Sequence, residues 1–208
     1  INIMGLKRDS KGNLVEVNPL RNRKGSVYKK GTNEPFKISR SKFSSFLDCK
    51  RCFYLDRVKG LKEPGMPGWS LNVAVDDLLK KEFDLLRSQK KPHSIFKKHN
   101  LNFIPFQHEE LDNWRNSLSG GISYLDKDTN LEIHGGVDDI WYDLDKEELV
   151  VVDYKAQSSN TKVETKAYLE SIFHQGYKIQ MDIYVHILRK MGFKVSDTSY
   201  FYVCNGEK

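Results

Sequence analysis

The chain has 208 residues, 34 Lys and Arg against 28 Asp and Glu, and a formal charge of +6. That length suits one domain, or one domain with an appendage, and is enough to bury a real core. No apolar run approaches the roughly 18 residues of a membrane span, and three cysteines are too few for a disulfide framework. A cytoplasmic protein with no membrane partner is therefore expected. The opening residues show no signal-peptide pattern, and a start at Ile1 leaves room for residues upstream.

Charge is distributed unevenly. Residues 1–60 hold 15 Lys and Arg against 5 Asp and Glu, whereas residues 61–208 hold 19 against 23. A basic segment beside an acidic centre suits a polyanionic substrate, because cations displace counterions from phosphate while acids hold a metal. A solvated basic tail would give the same composition.

In chain order, residues 1–37 are rich in Gly, Asn, Lys and Arg and read as a basic arm or loose hairpin; the main domain is taken as 38–208. A helix is expected from about Ser41 to Asp56, with Phe43, Phe46, Leu47 and Phe53 inward. Lys59–Gly68, with its prolines and glycines, reads as a loop. A second helix, about Ser70–Ser88, gathers Leu71, Val75, Leu78, Leu79, Phe83 and Leu86 on one face. A short strand near Asn102–Phe106 and a helix around Glu109–Leu118 follow. His93, His99 and His108 fall in loop-like, exposed stretches. A long helix runs from about Ala167 to Met191, and Ser199–Asn205 is a last strand.

Between these lies His134–Lys155, which reads as two strands joined by a polar turn. With the turn centred on Asp145-Lys146, Asp138 faces Asp153 across the ladder, and such pairs sit about 4.5–5.5 Å apart at Cβ. Carboxylates that close repel unless a cation or a shared proton intervenes. Lys155, two residues past Asp153, projects from the same face. Two acids and an amine thus converge, as in a divalent-metal site. A half-residue shift of the turn would instead set Asp138 opposite Val152 or Tyr154, on the other face. An edge hairpin with solvated charges is the plainer alternative. Against it, Leu149-Val-Val-Val152 is apolar throughout, the mark of a strand buried on both faces. Gly135-Gly136 reads as a close backbone approach or a bulge, and His134 as a neighbour of the site.

On the long helix, Ile172, Phe173, Ile179, Ile183, Ile187 and Met191 form a stripe with Gln180 in its middle and Tyr184 one turn on. A buried Gln needs hydrogen-bond partners. Cys49-Lys-Arg-Cys52 is a C-x-x-C, but with Cys204 it supplies three thiolates, so a four-cysteine cluster cannot form within the chain; zinc held by the three cysteines and one histidine is the alternative left open, and neither zinc nor iron–sulfur is expected.

Gly136-Val-Asp138, Asp153-Tyr-Lys155 and Gln180-Met-Asp-Ile-Tyr184, in that order, resemble the PD-(D/E)xK nuclease pattern, more narrowly its RecB-like branch. Ser39–Leu55 resembles the helix that opens RecB-like and CRISPR-associated exonuclease domains, so the likeness spans about residues 38–205. The resemblance implies a mixed α/β (α+β) fold of the restriction-endonuclease kind, a central mixed sheet flanked by helices. It implies a Mg²⁺- or Mn²⁺-dependent DNA nuclease, an exonuclease by analogy, acting on single or double strands and able to serve within a larger repair, recombination or defence assembly. Asp138, Asp153 and the Tyr154 backbone carbonyl would hold the metal. Asp76 stands where relatives usually carry His, and an oxygen ligand there favours hard cations. The metal would activate a water, Lys155 would orient it, and Gln180 and Tyr184 would fix the lysine and the strand backbone. Sequence-specific reading of bases is not expected. The alternative is a non-cleaving nucleic-acid-binding module on the same fold.

Overall fold

The computed structural model of the chain describes residues 7–9, 11–15, 18–23, 25–63 and 70–206. The part of the expected Lys59–Gly68 loop beyond Glu63 lies outside them, as does the start of the basic arm. The fold is mixed α+β, with two mixed sheets flanked by helices.

The larger sheet is built on β7 (Asp139–Asp143) and β8 (Glu148–Gln157), the expected hairpin. Asp139 pairs with Val152 and Tyr142 with Leu149, the register set by a turn at Asp145-Lys146. The turn is fixed by Asp143, whose Oδ1 accepts the amides of Asp145 (2.9 Å) and Lys146 (3.1 Å). On the far side of β7 runs antiparallel β4 (Phe103–Pro105), and on the far side of β8 runs parallel β9 (Tyr200–Asn205). From Leu149 to Tyr154 no residue of β8 is more than 7% exposed. Its alternate side chains enter two cores. Leu149 and Val151 join Ile140, Ile183, Ile187 and Leu188 under α7 (Gln175–Lys190). Val150, Val152 and Tyr154 join Leu79, Phe83, Phe96 and Trp141 under α3 (Ser70–Ser88).

One central sheet was expected; a second, smaller one accompanies it. There β6 (Leu131–Gly135) lies between parallel β3 (Phe36–Ser39) and antiparallel β5 (Ile122–Asp126). The chain leaves this sheet at Gly135 and enters the larger one at Asp139. Ahead of β3, a two-residue-strand hairpin (Lys7–Arg8 with Leu14–Val15) is present. The described residues between 18 and 36 are tied to the helical segment that follows: Tyr28 N donates to Arg57 O (2.7 Å), and the buried Asp56 collects Arg21, Lys42 and Arg57.

Several helices differ from expectation, each for a local reason. The Ser41–Asp56 helix is two, α1 (Arg40–Asp48) and α2 (Lys50–Arg57), broken at Cys49, whose extended backbone lets its sulfur cap the Cys52 amide at 3.2 Å. Phe46 and Leu47 are exposed rather than inward, as are Leu71 and Leu78 on α3. The Ala167–Met191 helix breaks at Ser171 (ψ 130°), where the serine Oγ accepts the Phe173 amide at 3.3 Å. It becomes α6 (Thr165–Glu170), a 3₁₀ turn at Ile172–His174, and α7, and Ile172 and Phe173 drop out of the buried stripe. The Glu109–Leu118 helix is confined to α5 (Leu111–Arg115), since Asn116 Oδ1 takes the Leu118 and Ser119 amides at 3.1 Å. His93 is buried, not exposed: it stacks on Phe83 and caps the short helix α4 (Ser94–Lys98). Among the described residues no helix is long and apolar enough to cross a membrane.

Candidate active site

The site forms where β7 begins beside the middle of β8, against α7 and the first turns of α3. Asp138 immediately precedes β7, and continuing the ladder by one pair sets it opposite Asp153. Its Oδ2 accepts the Tyr154 amide at 2.8 Å, which locks the carboxyl across the two strands. Asp153 is fully buried. Its Oδ1 accepts the Gln180 amide, and its Oδ2 pairs with Lys155 Nζ. Lys155, on the same face as expected, also lies 4.3 Å above the Tyr177 ring.

Gln180 is 4% exposed and reaches Asp153, not Lys155 as the expected role had it. Tyr184, buried one turn further along α7, has its hydroxyl 3.4 Å from Gln180 Nε2. The helix therefore grips the carboxylate itself. Asp76 also turns toward the site. Its Oδ2 accepts Lys80 Nζ at 2.7 Å, while its Oδ1 is buried without a hydrogen bond.

The electrostatics are strained. Burial pushes the Asp138 carboxyl up to about 7, and the charges of Asp153 and Asp76 push in the same direction. Three acids share this end of the sheet with two amines, Lys155 and Lys80. The donor set fits a hard divalent cation: all are carboxylate oxygens, and Asp76 Oδ1 and Asp153 Oδ2 are buried without an aligned hydrogen bond. Among the described residues, however, no three Asp, Glu, His or Cys side chains yet converge closely enough to share one ion.

Sequence reasoning missed two parts of this region. The first is Asp139, fully buried on the opposite face of β7. It receives Arg87, the Tyr154 hydroxyl (2.6 Å) and the Ile140 amide (2.8 Å). Arg87 and Arg115 both pair with Asp84, and Arg87 Nε also donates to Phe106 O. The signal was the Asp-Asp doublet, whose two members must face opposite ways on a strand. The second is Arg40, the first residue of α1. A Cβ on Gly135 would lie 3.2 Å from Arg40 Cβ and 2.7 Å from the Tyr184 ring, so strand, arginine and tyrosine meet there. Burial pushes the Tyr184 phenol up, and the Arg40 guanidinium opposes that. Among the described residues no carboxylate pairs with Arg40.

Gly136 has a similar reason: its Cβ would stand 2.9 Å from the Ser117 backbone. Cys49 and Cys52 sit 2.7 Å apart at sulfur beside α2, while Cys204 packs in the core under α3. No protein-family model, curated protein or solved structure matches the chain.

Proposed function

We propose that the chain is a metal-dependent nuclease acting on the phosphodiester bonds of DNA, in keeping with its resemblance to RecB-like PD-(D/E)xK enzymes. One observation carries the reading: Asp138 and Asp153 are opposed at the end of a doubly buried strand, with Lys155 on the same face. A fold tolerates such a cluster poorly without a function for it. Asp138, Asp153, the Tyr154 carbonyl and Asp76 are the groups that would hold Mg²⁺ or Mn²⁺, which supplies Lewis-acid charge at the scissile phosphate. Lys155 orients the attacking water and offsets negative charge on the phosphate oxygens. Gln180 fixes the Asp153 carboxylate, Tyr184 backs Gln180, and Arg40 offers a guanidinium to a phosphate along the strand.

The competing reading, a nucleic-acid-binding module that does not cleave, is favoured by the incomplete convergence of the acids. The two separate in one experiment. Labelled single- and double-stranded DNA is incubated with Mg²⁺, with Mn²⁺ and with EDTA, beside Lys155→Ala. Cleavage that needs metal and falls at least about a hundredfold in the variant is expected. Salt-sensitive binding without cleavage in any condition would install the module instead.

A further inference from the structure

Ile172 is 79% exposed and Phe173 82% exposed, in the 3₁₀ turn that leads into α7 a few residues before Tyr177, the ring that carries Lys155. Leaving two such side chains in water forgoes the stabilisation that burying them would give. The turn that displays them is firmly built. Gln175 Nε2 donates to the carbonyls of Leu169 (3.1 Å) and Ser171 (2.8 Å), and His174 Nδ1 lies 2.8 Å from Tyr168 O.

The residues flanking the pair in the chain contribute to a run of half-buried rings. Tyr168 and His174 have centroids 4.0 Å apart, His174 stacks on Tyr177 at 5.3 Å and 18°, and Phe201 lies within 6.3 Å of both tyrosines. The run ends at the catalytic cation, Lys155 over Tyr177. The segment 155–178 that supplies most of these rings carries four lysines against two glutamates.

We propose that this aromatic shelf, tipped by Ile172 and Phe173, binds unpaired nucleobases of the strand whose phosphate lies at Lys155. Rings with cations at their edge match a strand that offers a π-face and a phosphate at every step. A duplex keeps its base faces in its own stack, so the shelf selects single-stranded segments or frayed ends. The inference rests on the nucleic-acid reading above and specifies its strand.

The test uses thymidine oligomers and a duplex of equal length, with binding followed by anisotropy in EDTA so that cleavage does not intervene. Ile172→Ala/Phe173→Ala should weaken thymidine-oligomer binding about tenfold to a hundredfold and leave duplex binding unchanged. Phe173→Trp should keep the affinity, and its indole fluorescence should be quenched by the oligomer. Both sites are exposed, so thermal melting should match wild type. Equal losses on both ligands, or none, in a protein whose wild type binds and cleaves would overturn the shelf alone. A double variant that shifts the oligomeric state but not strand binding would make the pair a self-association surface and likewise overturn it. A wild type that binds neither ligand would remove the parent reading as well.

Discussion

Asp138 and Asp139 are neighbours in the chain and opposites in the fold. Asp139 points toward α3 and is well partnered: Arg87 pairs with it, the Tyr154 hydroxyl and Ile140 amide donate to it, and Asp84 clamps the arginine from behind. Asp138 points toward α7 and has one amide donor against two further acids. Burial pushes both carboxyls up. Arg87 and Arg115 pull Asp139 back, whereas Asp153 and Asp76 push Asp138 further. One face of the hairpin uses buried charge to hold the fold together, and the other keeps buried charge unbalanced. Local departures from stability of the second kind are expected where chemistry is done.

The contrast breaks most visibly at Asp139. Asp139→Ala strips the buried Arg87 of one of its two carboxylates and leaves the Tyr154 hydroxyl without its acceptor, and breaking one side of a buried pair costs about 3–5 kcal/mol. Urea denaturation should show that loss, and a variant as stable as wild type would erase the distinction between the faces.

Asp138→Asn should act in the opposite sense. In EDTA at pH 8 it should raise stability, on the order of 1–3 kcal/mol, by removing a crowded charge, and it should abolish cleavage when metal is restored. The pH dependence carries a sign. The Asp138 carboxyl titrates near 7 in the folded chain, above the roughly 3.9 of an unfolded Asp. The folded state therefore holds an extra proton between those values, and that stabilisation is lost as pH rises through about 7. The advantage of Asp138→Asn should thus shrink as the pH is lowered toward 5. Thermal melts across that range check it, and an advantage that grows toward acid pH would contradict the crowding.

How much of this could be read from the sequence depended on whether a single local pattern decided it. The β7–β8 register was legible because the Asp143–Lys146 turn is its own signal and Leu149–Val152 requires burial on both faces. Gln180 was legible because a lone amide within an apolar stripe requires partners. The smaller sheet was not. Its strands β3 and β6 pair across more than ninety residues, and none of the three carries a run of apolar residues long enough to stand out. The helix breaks were hidden because a Cys and a Ser became caps, at Cys49 and Ser171, inside stretches whose periodicity continued past them. Arg40 was hidden because its meeting with Tyr184 depends on α1, β6 and α7 together.

Gly136 offers a finer way to sharpen the contrast, because it sits two residues before Asp138 and presses on Ser117. Gly136→Ala would bring a methyl to 2.9 Å from backbone atoms that have little room to move. A loss of about 1–3 kcal/mol is expected, as for overpacking. Because the strain falls on the approach to Asp138, cleavage should drop further than the folded fraction does. Activity that simply tracked the folded fraction would show that the glycine serves packing alone.

The smallest effect is expected at Arg40, and it tests whether the unbalanced face extends beyond the acids. Arg40 lies where β6 meets Tyr184, a position from which a cation could contact phosphate without entering the carboxylate cluster. A phosphate contact adds affinity that is independent of base sequence and sensitive to salt. Arg40→Ala should therefore raise KM a few-fold with kcat nearly unchanged, and should reduce the slope of log K against log salt by about 1. Arg40→Lys should restore most of the slope. A variant that instead lowered kcat with the slope intact would mean that Arg40 acts through Tyr184, as a brace for Gln180 and Asp153. The unbalanced charge would then end at the acids and their lysines.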